Sequence, residues 1–108
     1  MKRVRDFLEA ARLLKTLGHP VRLKIVCGLL CEPATGSRIA RDLRLPASTL
    51  AQHLRVLRGG GILQEEKHGV EVLFRVADRR VPGILRVLCN PRMAQGRLPR
   101  WRWQELKG

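Results

Sequence analysis

Residues 45–63 read LPASTLAQHLRVLRGGGIL. Leu50, Leu54 and Leu57 recur at steps of four and three, which puts them on one side of an amphipathic helix opened by Pro46. The other side carries Ser48, Thr49, Gln52, His53 and Arg55, short hydrogen-bonding side chains next to a cation, and the run stops at Gly59, Gly60 and Gly61. Glycines there end a helix by permitting left-handed backbone angles, and they let the chain turn back closely into the next segment. They are not a phosphate-binding loop, since no strand precedes them and no Lys-Ser/Thr pair comes after. A helix with such an outer side is suited to reading another molecule by contact.

Working outward, the flanking segments supply a frame. Upstream, Phe7, Leu8, Ala11, Leu14 and Leu17 mark an amphipathic helix that stops at Gly18. Pro20 is placed as the first residue of a second helix, whose inner face is Leu23, Val26, Cys27 and Leu30 and which Glu32-Pro33 breaks. The turn PATG then leads to a short helix, SRIARDLRL, with Ser37 as its N-cap and Ile39, Ala40 and Leu43 facing inward. Downstream, residues 62–67 and 70–76 form two strands joined by His68-Gly69, and Val70, Val72, Phe74 and Val76 share the face that packs on the helices. After Asp78 a last helix carries Val81, Ile84, Leu85, Leu88 and Cys89 and closes at Asn90-Pro91.

Composition narrows the partner. The chain has 108 residues, enough for one compact domain with a modest core, and 22 Lys and Arg against 9 Asp and Glu give it a net charge of +13. Such a density points to a polyanion, with nucleic acid first. The N-terminal MKRVRDFLEAARLLKTL is interrupted by Asp6, Glu9, Arg12 and Lys15, so it reads neither as a signal peptide nor as a membrane span, and a cytoplasmic protein without membrane contact is expected. No paired carboxylates fall in an evident cleft, no Ser or Cys stands beside a base, and no cofactor fingerprint occurs, so neither an enzyme nor a cofactor is expected.

Two helices joined by a tight turn, the second polar on its outer side, are the arrangement that inserts a helix into the DNA major groove, and a basic hairpin directly after it makes a wing. The fold expected is therefore mainly α with a small β-hairpin: a winged helix-turn-helix, one domain over residues 1–90 with a basic tail over 91–108. At this point LLKTLGHPVRLKIVCGLL (13–30) and LPASTLAQHLRVLRGGGILQEEKHGVEVLFRV (45–76) together resemble the ArsR family of winged helix-turn-helix repressors. The resemblance implies a homodimer paired through the first and last helices, seated on a pseudo-palindromic double-stranded operator and released by a small inducer. A short helix reads few base pairs, so a two-fold dimer on two half-sites is independently the expected solution.

Matched to the family, Ser48, Thr49, Gln52 and His53 fall where the recognition helix meets bases and phosphates. Gln52 is the strongest base-reader, because its amide can bond an adenine edge twice, while Ser48 and Thr49 suit bases or phosphates. Arg55 and Arg58 are expected to hold the backbone. His53 is equally consistent with a residue packed inside the fold. Lys67 and His68 at the hairpin tip, with Arg75 behind, either reach a minor groove or are simply exposed. The rival to a repressor is a non-sensing basic module that binds nucleic acid by charge with little sequence choice.

Sensing is less legible. The family's metal sensors resemble one another in a cysteine pair before an Asp-Leu; here Asp42-Leu43 is present, but Ile39 and Arg41 stand at those two places. The zinc site that relatives build on the last helix needs Asp and His, and this chain offers Asp78 with Arg80. No metal site is assigned. Cys27, Cys31 and Cys89 remain. Cys27 and Cys31 lie one turn apart on one helix side. Cys27 resembles the helix-two cysteine of the family's persulfide- and redox-responsive branch, whose partner lies near the end of the last helix; Cys89 comes about one turn early. Three readings stay open: sensing of reactive sulfur or oxidant through these thiols, a three-cysteine arsenite or soft-metal site, and small core residues. The tail sets Trp101 and Trp103 about Arg102, with five basic residues against Glu105. It is read as docking on the body or the partner subunit, the alternative being contact with bases or a membrane surface.

Overall fold

A computed structural model describes residues 3–89. Within them the elements, in chain order, are α1 (Val4–Leu17), α2 (Pro20–Cys31), β1 (Ala34–Thr35), α3 (Gly36–Leu43), α4 (Ala47–Gly59), β2 (Leu63–His68), β3 (Glu71–Val76) and α5 (Val81–Cys89). The fold is the expected winged helix-turn-helix, with an antiparallel sheet of three strands in the order β1-β3-β2. The close of the last helix at Asn90-Pro91 and the tail with Trp101 and Trp103 lie outside the described residues.

The core is built where the helical stripes meet. Leu50, Leu54 and Leu57 of α4 are buried as expected, against Ile39 and Leu43 of α3 and Ile25, Val26 and Leu29 of α2. Pro20 does open α2, and the preceding His19 caps it: its ring Nδ1 accepts the Val21 N–H at 3.1 Å. The inner face expected for α2 is too narrow. Ile25 to Leu29 are buried without a break, because α2 lies between α1, α4 and β3 and so has hardly any solvent side. The stripe expected on α1 is also revised: Leu17 is buried, with Leu13, but Phe7, Leu8, Ala11 and Leu14 face solvent. On α5, Val81 and Leu85 are buried while Leu88 is 63% exposed beside Val87.

Local chemistry differs from expectation at four joints. PATG is not simply a turn, since Ala34 and Thr35 pair with Phe74 and Leu73 of β3 as a third strand. The cap of α3 is Thr35 rather than Ser37: its Oγ1 accepts the Arg38 N–H at 3.2 Å, so the helix starts upstream of the position the sequence suggests. The hairpin runs one residue later, with Leu63 opposite Val76 and His68 opposite Glu71, so Gly69 and Val70 make the two-residue turn and Val70 leaves the packing face. Gly69 takes a φ of 66° at the first central position, which a turn of the II′ kind requires. Of the three glycines at the end of α4, Gly61 alone is left-handed, at φ 76°. Gly60 matters through space, because a Cβ there would lie 3.2 Å from the Thr16 side chain of α1, and Gly59 is an ordinary helical residue with open surroundings.

Candidate nucleic-acid interface

The turn between α3 and α4 sets the angle of the reading helix. Leu45 N–H closes on the Ala40 carbonyl at 2.9 Å, and the Leu50 N–H bonds the Pro46 carbonyl at 3.0 Å as the first hydrogen bond of α4. With Leu50, Leu54 and Leu57 turned into the core, Ser48, Gln52 and Arg55 are exposed and Thr49 is half-buried at the edge. Of the polar side of α4 expected from the sequence, Ser48, Gln52 and Arg55 therefore do face solvent.

His53 sits apart from this group. It is half-buried, and its ring lies 4.5 Å from that of His19 between centroids, tilted by 51°. Burial, then the adjacent His19 and then Arg22, hold its pKa below the usual histidine value. A neutral ring packed on the α2 cap ties α4 to α2 and leaves little of His53 to offer a ligand. Arg22 adds a strut, its Nε donating to the Thr16 carbonyl at 2.6 Å.

The wing is less basic than its sequence suggests. Arg58 is ion-paired with Glu65. His68 Nε2 lies 3.3 Å from one Glu66 oxygen, and Arg75 Nε lies 3.1 Å from the other. Lys67 is exposed and takes part in no ion pair among the described residues, and Val70 at the tip is fully exposed. The acidic neighbours stand in the sequence as QEEKH; the hairpin pairing brings Glu66 to Arg75, and the packing of α4 beside β2 brings Glu65 to Arg58.

Of the thiols, Cys27 is buried in α2, Cys31 is exposed one turn on, and Cys89 is the last residue of α5. At the positions weighed above as metal ligands, Ile39 is core, Arg41 lies 3.5 Å from Asp42, and the Asp78 carboxylate receives Arg80 at 2.8 Å. That bond is also what holds Asp78 below the usual carboxylate range. Among the described residues no group of three His, Cys, Asp or Glu side chains converges, and no helix is long and apolar enough to cross a membrane. Arginines that sequence reasoning misses lie along α3 and its turn, at Arg38, Arg41 and Arg44. Their three-residue spacing is the available signal.

A helix-turn-helix with a wing, its second helix presenting hydrogen-bonding side chains outward, defines a DNA-binding regulator rather than an enzyme. Comparison with known proteins agrees. The model of the family described as bacterial regulatory protein, arsR family, matches residues 19–65. The chain is 42% identical over 84 residues to the transcriptional repressor PagR of Bacillus anthracis, covering 77% of this chain and 83% of that protein. It is 32% identical over 87 residues to the biofilm growth-associated repressor of Xylella fastidiosa, 81% of this chain and 76% of the other. The crystal structure of PagR matches with a TM-score of 0.73 at 36% identity, over 80% of this chain and 99% of that one. Reduced HlyU from Vibrio cholerae N16961 matches with a TM-score of 0.73 at 28% identity, over 78% and 88%. The chain belongs to the arsR family of bacterial regulatory proteins.

Proposed function

We propose that this chain is a transcriptional repressor that binds a pseudo-palindromic operator as a homodimer in the cytoplasm and is released through its cysteine thiols. The observation that carries DNA reading is the exposed side of α4 with Ser48 and Gln52 outermost, on a helix whose pitch is set by its own core. Two relatives that share most of the chain are repressors by name. Dimerisation is supported by the apolar outer side of α1, where Val4 is 77% and Phe7 60% exposed, and by Val87 and Leu88 on α5. Arg80, just before α5, lines the same cleft as Glu9 and Arg12 of α1.

Thiol sensing is supported by position. Cys27 lies in the core of the helix that α1, α4 and β3 all pack against, Cys31 is one turn further on, and Cys89 ends the proposed dimerisation helix. Bridging or persulfidation between α2 and α5 would change the spacing of the two reading helices. A relative with this fold has been solved in a form designated reduced. The basic segment 91–108 is proposed to dock on the body or the partner through Trp101 and Trp103.

The test is affinity at about physiological salt for a duplex selected from a random pool against a scrambled duplex. A repressor prefers the former by at least ~1000-fold, and a charge-driven module binds both alike. Release of the selected duplex is then titrated with polysulfide, peroxide, arsenite and zinc in wild type and in Cys27→Ser, Cys31→Ser and Cys89→Ser. Release by polysulfide or peroxide, lost in a single-cysteine variant, supports the thiol reading; release by none of the four makes the thiols structural. Deleting residues 91–108 and measuring dimerisation with the salt dependence of DNA binding separates docking from nucleic-acid contact.

A further inference from the structure

Two helices of this chain end in the same way but with different residues. After α3, the Leu45 N–H reaches the Ala40 carbonyl at 2.9 Å and the Arg44 N–H the Arg41 carbonyl at 3.3 Å. After α4, the Ile62 N–H reaches the Leu57 carbonyl at 3.0 Å and the Gly61 N–H the Arg58 carbonyl at 3.0 Å. Both closures need one left-handed residue. The chain supplies Gly61 in one case, at φ 76°, and Arg44 in the other, at φ 56° and ψ 49°. Glycine enters that region freely, whereas a Cβ there crowds the following carbonyl oxygen. Among the described residues Arg44 is the one non-glycine with positive φ. A protein that has glycine at one closure and holds an arginine under strain at the other has a use for that side chain.

The surroundings indicate which use. Arg38 lies 2.8 Å from Glu32 and 3.5 Å from Asp42, and Arg41 lies 3.5 Å from Asp42. Arg44 is exposed and joins no ion pair among the described residues, which leave its charge uncompensated. Only Leu45 and Pro46 separate it from the first residue of α4, the end at which a reading helix meets base pairs. We propose that Arg44 is a DNA-binding residue whose guanidinium grips a backbone phosphate beside the entry of α4. It positions the reading helix on the duplex and carries no sequence information itself. The inference rests on the reading of α4 as the duplex-contacting helix. The competing role is purely internal, a cation at the negative end of α3 that steadies the helix.

The two roles are separated by full-length Arg44→Gly and Arg44→Gln. Thermal midpoints are measured, and binding to labelled duplexes, one selected with wild type from a random pool and one scrambled, is followed by anisotropy over a range of salt. Arg44→Gly raises the midpoint, because it relieves the left-handed arginine, and Arg44→Gln leaves it near wild type. Both variants lose about tenfold in affinity for both duplexes. The slope of log affinity against log salt becomes shallower by about 0.9, the signature of one lost phosphate contact. Wild-type affinity and slope in both variants overturn the proposal, and so does an affinity loss confined to a variant whose midpoint has fallen. Should wild type itself fail to prefer the selected duplex, it is the reading of α4 that fails, a result that needs no variant to be seen.

Discussion

The outer sides of α1 and α4 are both open to solvent, and their chemistry is opposite. α1 presents Val4, Phe7, Leu8 and Leu14, each more than half exposed, while α4 presents Ser48, Gln52, Arg55 and Arg58 with Val56 among them. Water tolerates the second indefinitely, since its polar groups can be hydrated and exchanged for a phosphate or base edge. The first is a contiguous apolar surface of the kind that marks an interaction site. The difference teaches that one small fold can hold an apolar and a hydrogen-bonding surface on separate helices, the first proposed for self-association and the second for duplex reading, with a common core beneath them.

The most severe way to break that division is to charge the apolar side. Phe7→Glu is expected to weaken the proposed dimer by about 100-fold or more, the effect of losing an aromatic anchor from an interface, with helix content unchanged by circular dichroism. Sedimentation at micromolar concentration checks it; a wild type already monomeric there would remove the distinction between the two sides. On the polar side, Gln52→Ala should cost about 1–3 kcal/mol of discrimination between the selected and a mismatched duplex, read as the ratio of two affinities. Arg55→Ala should instead lower affinity for every sequence alike.

The joints give smaller effects. Gly61→Ala forces a side chain into the left-handed closure of α4 and is expected to cost about 1 kcal/mol in denaturant unfolding, whereas Gly59→Ala, helical and with open space around it, should stabilise by up to about 1 kcal/mol. The smallest effect is on pH. Because His53 has a folded pKa below its unfolded value of about 6.5, the folded state favours the neutral ring. Its contribution is present in full above pH 6.5 and is lost as pH falls through the folded value. His53→Phe should therefore show a weaker drop in thermal midpoint between about pH 7 and pH 5 than wild type does.

Much of this division is visible in the sequence, and the exceptions have physical causes. The leucine stripe of α4 and the proline that opens α2 are local signals, so they survive folding unchanged. Phe7, Leu8 and Leu14 have the right period for a core helix, and only the packing of Leu13 and Leu17 shows that they lie on the other side. Ala34 and Thr35 have no periodicity of their own and become a strand because β3 has an edge to pair. The wing is less basic than its sequence suggests because Glu65 and Glu66 meet Arg58 of α4 and Arg75 of β3, a matter of tertiary packing and strand pairing that no local pattern carries. The spacing of Arg38, Arg41 and Arg44 marks a basic edge in the sequence, but what sets Arg44 apart from the other two is its left-handed conformation, which only the structure shows.

The most direct test of the central claim is a hydroxyl-radical footprint on the selected duplex, with the stoichiometry of the same complex determined by native mass spectrometry. Two chains on one duplex, protecting two patches about one helical turn apart and related by the symmetry of the site, is the predicted result. A single chain per duplex, or protection spread evenly along any sequence, would contradict it.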